Sequence, residues 1–141
     1  MKFPKFYTPA ETRKYEQKVA RCAFEAYGSR LLEEGPIGIR IRAVYPIPKS
    51  ATKKKKAEMA TGAILPTKKP DLDNVKKAIL DGLNGVLFKD DAQVVYLEAR
   101  KVYGDNPRVD VRVIYYDQGE VGTDQQGPTS GGGSEVRVEE H

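Results

Sequence analysis

The sequence is short of the side chains on which much enzyme chemistry depends. It has one histidine, His141, at the last position, one cysteine, Cys22, and no tryptophan. A single terminal histidine excludes serine–histidine triads, histidine–zinc centres and nucleases with a histidine general base, unless the tail folds back into the body. One cysteine excludes a disulfide framework and a cysteine zinc site, and it predicts a reducing, cytoplasmic home. No apolar run approaches the ~20 residues of a membrane span. Met1-Lys2-Phe3-Pro4 does not open a signal peptide. Any chemistry must therefore run on carboxylates and lysines, with or without a metal.

Charge is abundant and unevenly spread. The chain carries +4 overall over 141 residues. Residues 118–141 hold five acids and one base, a net −4, which leaves +8 on residues 1–117. A body this basic suits a polyanion, nucleic acid before membrane, although a solvated lysine surface would look the same. The length predicts a single domain over residues 1–117. The Gly-, Ser- and Gln-rich segment 118–141 is expected to be a disordered acidic tail.

Periodicity supplies the elements. YTPAETRKYEQKVARCAFEAY starts a helix, with Thr8 as N-cap, Pro9 at the first position and Glu11 completing a capping box. Tyr15, Val19, Cys22, Ala23 and Ala26 give it one apolar face, and Gly35-Pro36 closes the segment. IGIRIRAVYP alternates as a half-buried strand, with Arg40 and Arg42 opposite the apolar set. PKSATKKKKAEMATGAILPTKKP reads as a long basic loop. PDLDNVKKAILDGLNG is a second helix, with Asp71 at its N-cap and Leu72, Val75, Ile79, Leu83 and Val86 as its buried stripe. VVYLEARKVY and RVDVRVIYY then predict a β-hairpin about Gly104-Asp105-Asn106-Pro107. The fold class is mixed, α/β with α+β character: a small mixed sheet packed with two main helices.

The chemical question lies in KKPDLDNVKKAILDGLNGVLFKDDAQVV. It places Asp71, Asp73, Asp81, Asp90 and Asp91 in the most lysine-rich part of a basic chain. Each aspartate has a structural excuse as a cap, a dipole partner or a turn residue. Together they suggest ligands. Asp71 and Asp73 lie in the first helical turn, Asp91 follows the helix, and converging carboxylates need a cation between them. Few hard oxygen ligands completed by water suit Mg²⁺, with Mn²⁺ as a substitute. Lys77, four residues past Asp73, can position a nucleophile or stabilise transition-state charge. The lysines would then hold phosphates, and the acids a metal that reaches one of them. Two further readings remain: a non-catalytic basic nucleic-acid-binding protein, and a restriction-like nuclease using Pro70-Asp71 with Glu98-Ala99-Arg100. The second would want lysine where Arg100 stands. Tyr96 and Phe88 are weak candidates for stacking on opened bases.

At KKPDLDNVKKAILDGLNG, DDAQVV, YTPAETRKYE and PKSATKKKK the chain resembles the RusA-type Holliday junction resolvases, over roughly Tyr7 to Asp117. The resemblance implies a small Mg²⁺-dependent homodimer of mixed α/β fold that cuts four-way DNA junctions by paired nicks, in recombination and repair. It implies a bacterial, phage or prophage source. It carries metal-binding roles to Asp71, Asp73 and Asp91 and a catalytic role to Lys77, with Asp90 a neighbour of the ligands. DNA contacts are expected at Lys53, Lys54, Lys55, Lys56, Lys68, Lys69 and Lys76. The family's first strand is expected to be absent, since Met1 falls only a few residues before Tyr7. A C2 dimer matches the near two-fold symmetry of the junction.

Overall fold

The structure is a computed structural model describing residues 9–28, 31–116 and 133–139. The first helix, α1 (Pro9–Tyr27), ends at Gly28, whose φ of 68° only glycine adopts readily. It therefore stops well before Gly35-Pro36. Thr8, its expected N-cap, lies outside the described residues. Strand β1 (Ile37–Pro46) buries Ile37, Ile39, Ile41, Ala43 and Tyr45, as its alternation predicts. Helix α3 (Leu72–Leu83) buries Val75, Ile79 and Leu83 against α1, while Val86 falls in the turn beyond it.

The expected loop between residues 48 and 70 contains a helix, α2 (Lys53–Thr61). Thr52 caps it by accepting from the Lys55 amide, and Gly62 closes it at φ 89°. Between those caps, apart from Thr61 in the last turn, lie lysine, alanine, glutamate and methionine, all good helix formers, which a reading based on apolar periodicity overlooks. No residue of α2 is buried.

The expected hairpin also does not form. Strand β2 (Val94–Gly104) runs parallel to β1, and β3 (Arg108–Tyr115) runs antiparallel to it on the other side. Residues 105–107 thus cross the end of β1 and span two strand spacings, about 10 Å. Burial explains the order. β1 and β3 are mostly buried, whereas no residue of β2 is, and Glu98, Arg100 and Lys101 suit an edge. The sheet order is β2-β1-β3-β4. Strand β4 (Gly133–Glu139) comes from the segment expected to be a disordered tail; its Ser-Glu-Val-Arg-Val-Glu alternation fits the free edge of β3. The rest of that segment lies outside the described residues.

Two contacts fix this frame. A Cβ on Gly82 would stand 2.7 Å from the Val19 Cβ and 2.9 Å from the Glu16 carbonyl, so α1 and α3 approach at a position where only hydrogen fits. Gly82→Ala is expected to cost about 2–3 kcal/mol, read as a lower denaturant midpoint with unchanged m-value. On the uncovered sheet face, Asp110 is 3% exposed and accepts from Arg42, Arg108 and Arg137. Burial pushes its carboxyl up, and the three guanidinium groups outweigh that and hold it below the ordinary aspartate value. A depressed carboxyl stabilises the fold above the unfolded pKa, and that contribution is lost as pH falls through the lower, folded value. Asp110→Asn should therefore destabilise by about 2 kcal/mol at pH 7, a deficit against wild type that shrinks below pH ~4 in thermal melts.

Candidate functional site

Tyr45, on the core face of β1, donates its hydroxyl to the Pro70 carbonyl. Lys101 of β2 donates to the Lys68 carbonyl, with its ammonium 4.9 Å from the Tyr45 ring centre. Two strands thus hold the approach to α3 from below. Burial, aided by the negative charge of Asp71, pushes the Tyr45 hydroxyl up to about 12, so it stays protonated and keeps donating. Neither Tyr45 nor Lys101 stood out in the sequence, because the alternation of β1 already accounts for Tyr45 and Lys101 lies in a strand of mixed polarity.

Asp71 occupies the N-cap position of α3 with extended backbone, φ −74° and ψ 160°, yet its side chain makes no capping bond. It accepts only from the Asn74 side chain, at 3.1 Å. Asp73, one turn in, is 92% exposed and meets Lys76 at 3.6 Å. Both carboxylates stand at the positive end of the helix dipole, and neither is used up in holding the fold. Lys76 therefore takes the place beside Asp73 that the four-residue spacing assigned to Lys77. Lys77 is exposed, and its charge acts on Glu16 of α1.

Asp90 and Asp91 divide the work differently. Asp90 accepts from the Ala92 amide, and the Gln93 side chain accepts from the Asp90 amide, a complete capping box on a 3₁₀ turn at Asp91–Gln93. Gln93 also donates to the Leu32 and Gly35 carbonyls, tying the turn to the start of β1. Asp91 is exposed and its carboxylate has no partner among the described residues.

These two acidic ends do not meet within one chain. Val94, just after Asp91, pairs with Ile37, whereas Tyr45, which holds Pro70, pairs with Tyr103. Eight to nine strand residues separate those levels, roughly 25–30 Å. Helix α3 gives a similar answer: twelve residues carry the chain about 18 Å from the Asp71 end toward the Asp91 end. Among the described residues no group of three histidine, cysteine, aspartate or glutamate side chains could hold a metal. The convergence of Asp71, Asp73 and Asp91 expected from sequence is therefore absent in a single chain. The chain runs along the helix and does not return before Asp91; only β2, beyond it, comes back. What the Asp71 end offers is two carboxylates, and Mg²⁺ commonly binds one or two carboxylates and keeps its remaining waters or takes substrate phosphate. That donor set fits the ion.

The remaining candidates sort readily. Lys53, Lys54, Lys55, Lys68 and Lys69 are exposed, and Lys56 is half-buried. Phe88 is fully buried and cannot stack on bases. Tyr96 donates to Glu98 at 2.7 Å. That bond, with the Arg40 pair, lowers the Glu98 carboxyl. Glu98 faces away from the helices, with Arg40 and Asp110, so it does not join Asp71 in a restriction-like site.

The family model described as "Endodeoxyribonuclease RusA" matches residues 2–114. The chain is 38% identical over 107 residues to the "Uncharacterized protein YqaN" of Bacillus subtilis (strain 168), covering 74% of this chain and 75% of that protein. It is also 38% identical over 48 residues to the "Crossover junction endodeoxyribonuclease rusA" of Lactococcus phage r1t, covering 33% of this chain and 37% of the phage protein. No solved structure gives a significant match. The chain belongs to the RusA endodeoxyribonuclease family.

Proposed function

We propose that this protein is a Mg²⁺-dependent, structure-selective endodeoxyribonuclease that resolves four-way DNA junctions by paired symmetric nicks. It would act in recombination and repair, in a bacterial cytoplasm, from a phage or prophage gene. The observation that carries the proposal is the carboxylate of Asp71: it sits where a helix cap belongs and does not cap. A side chain in that position, held only by the exposed Asn74 amide and beside Asp73 with its surface ion pair to Lys76, suits a ligand. The phage relative's name, a crossover junction endodeoxyribonuclease, supplies the substrate class.

In this reading Asp71 and Asp73 hold a divalent ion, with Mn²⁺ able to replace Mg²⁺. When bound, such an ion polarises a phosphodiester and makes water a better nucleophile near neutral pH. Tyr45 and Lys101 fix Pro70 and Lys68, which orients the acids before DNA arrives. Lys76 neutralises Asp73 until then, and Lys77 lies one position further, available to a phosphate oxygen. Tyr45→Phe should lower stability by about 1 kcal/mol and reduce cleavage more than DNA affinity, measured by melting and single-turnover kinetics.

The competing reading, a basic DNA-binding protein without catalysis, draws on the lack of a three-carboxylate group among the described residues. A synthetic four-way junction and a linear duplex of matched sequence separate the two, each incubated with and without Mg²⁺. Paired nicks in the junction alone, and only with the ion, support the proposal. Binding without cleavage of either DNA contradicts it.

A further inference from the structure

We propose that the helix-free face of the sheet binds single-stranded nucleic acid, at a site separate from the acids at the start of α3. The inference stands on the sheet and does not require the nuclease reading. Six of the nine arginines lie on this face: Arg40 and Arg42 of β1, Arg100 of β2, Arg108 and Arg112 of β3, and Arg137 of β4. The four strands contain one lysine, Lys101, which pairs with the buried Ala43 and points to the helix side. Basic residues on the strands are thus sorted by type. A surface that needs only solvation has no use for such sorting. Guanidinium is planar, weakly hydrated and fork-shaped, and it meets phosphate with two parallel hydrogen bonds.

Strand register sets the charges in two rows. In one, Arg40 lies between Glu98 and Arg112; in the next, Arg42 lies between Arg100 and Asp110. The carboxylates stand at opposite corners, and each is already taken. Glu98 accepts from Arg40 and from the Tyr96 hydroxyl, and Asp110 accepts from Arg42, Arg108 and Arg137. Arg100 and Arg112, at the other two corners, are exposed and make no hydrogen bond or ion pair with a described side chain. A hollow of about 150 Å³ opens among Arg40, Arg42, Arg100, Arg112 and the two acids. β4 adds Glu135 and Glu139 in register with Arg112 and Arg108, so six guanidinium groups meet four carboxylates and the face stays positive. Arg100 and Arg112 lie about 12 Å apart at their Cα atoms, two strand spacings and two residues, and so suit separate phosphates of one strand.

The same face carries groups that an acidic peptide would not use. Toward the start of β1, Gly38 leaves a gap: a Cβ there would stand 3.4 Å from the Tyr116 hydroxyl and 3.5 Å from the Tyr96 Cβ. Two partly exposed tyrosines therefore flank the space above Gly38, next to the Arg40 row. The bond to Glu98 holds the Tyr96 ring before a ligand arrives. Aromatic rings on an open sheet stack on unpaired bases, while arginines follow the backbone. Duplex DNA keeps its bases paired and offers no such contact. The combination selects a single strand.

Binding of a short fluorescent oligothymidylate, followed by anisotropy across a salt series in EDTA, tests the site with no metal-dependent step. Arg100→Gln/Arg112→Gln should bind roughly tenfold more weakly, and the slope of log affinity against log salt should fall by about 1.4, for two phosphates of a single strand. Neither arginine bonds to a described side chain, so the melting curve of the variant should match wild type. Oligothymidylate carrying bromodeoxyuridine should photocrosslink to Tyr96 or Tyr116, mapped by mass spectrometry of the digested complex. Unchanged affinity and slope in the arginine variant overturn the proposal, as do crosslinks confined to residues 53–69. So does displacement of the strand by oligoglutamate of equal charge, which would make this face an acidic-peptide site. None of these readouts depends on cleavage. A protein that binds the strand here and leaves four-way junctions intact in Mg²⁺ refutes the nuclease reading alone.

Discussion

Asp71→Asn and Asp73→Asn should each reduce junction cleavage at least ~10³-fold and leave the melting temperature within about 2 °C of wild type. The asymmetry follows from what these side chains do not do. Asp71 makes no bond to an α3 amide, and asparagine at 71 can still meet Asn74. Asp73 is solvent-exposed and holds only a surface ion pair, a kind worth little to stability. Removing either negative charge should also bring DNA closer, so junction binding should persist or tighten. Asp90→Ala should behave in the opposite manner. It removes the acceptor for the Ala92 amide, costs about 1 kcal/mol and lowers the melting temperature by about 4 °C. Cleavage and melting curves on the three variants check the contrast. A large loss of stability in Asp71→Asn with cleavage retained would return that residue to a purely structural role.

Alanine at Lys53, Lys54, Lys55 and Lys56 together should weaken junction binding by one to two orders of magnitude at moderate salt. The slope of log affinity against log salt should fall by about 2. A flexible loop could bring all four ammonium groups to the backbone, and the slope would then change by nearly 4. Helix α2 prevents that. Successive residues step around its axis, so Lys53 and Lys56 share one side while Lys54 and Lys55 point elsewhere. Alanine preserves the helix, because it is the best helix former and the Thr52 and Gly62 caps are untouched. Filter binding across a salt series gives the slope. An unchanged slope would mean that the run only solvates α2.

The parts of the fold legible in the sequence are those where one physical signal dominates. The alternation of Ile37 to Tyr45 and the stripe of Val75, Ile79 and Leu83 mark burial directly, and burial is what the structure shows. Pairing partners are less visible, since alternation says which face a strand buries and not which neighbour it takes. That is why β2 and β3 read as a hairpin although β1 separates them. Helix α2 was hidden for the converse reason: it buries nothing, so only its caps and its helix-forming residues mark it. In the site, DLDN and DDAQ identified the acids, but side-chain roles depend on local hydrogen bonds. Sequence could not tell that Asp90 caps while Asp71 does not, nor that Lys76 and not Lys77 meets Asp73. The separation of Asp91 from the other acids follows only once the parallel register of β1 and β2 is known.

The claim on which the functional account rests is that the carboxylates at the start of α3 take a divalent cation when DNA is present. Mn²⁺ binding followed by electron paramagnetic resonance, with uncleavable four-way junction added to wild type and to the Asp71→Asn/Asp73→Asn variant, addresses it directly. The account predicts a bound-ion signal in the wild-type complex that is lost in the variant, at equal DNA occupancy. Equal ion binding by both proteins would contradict it.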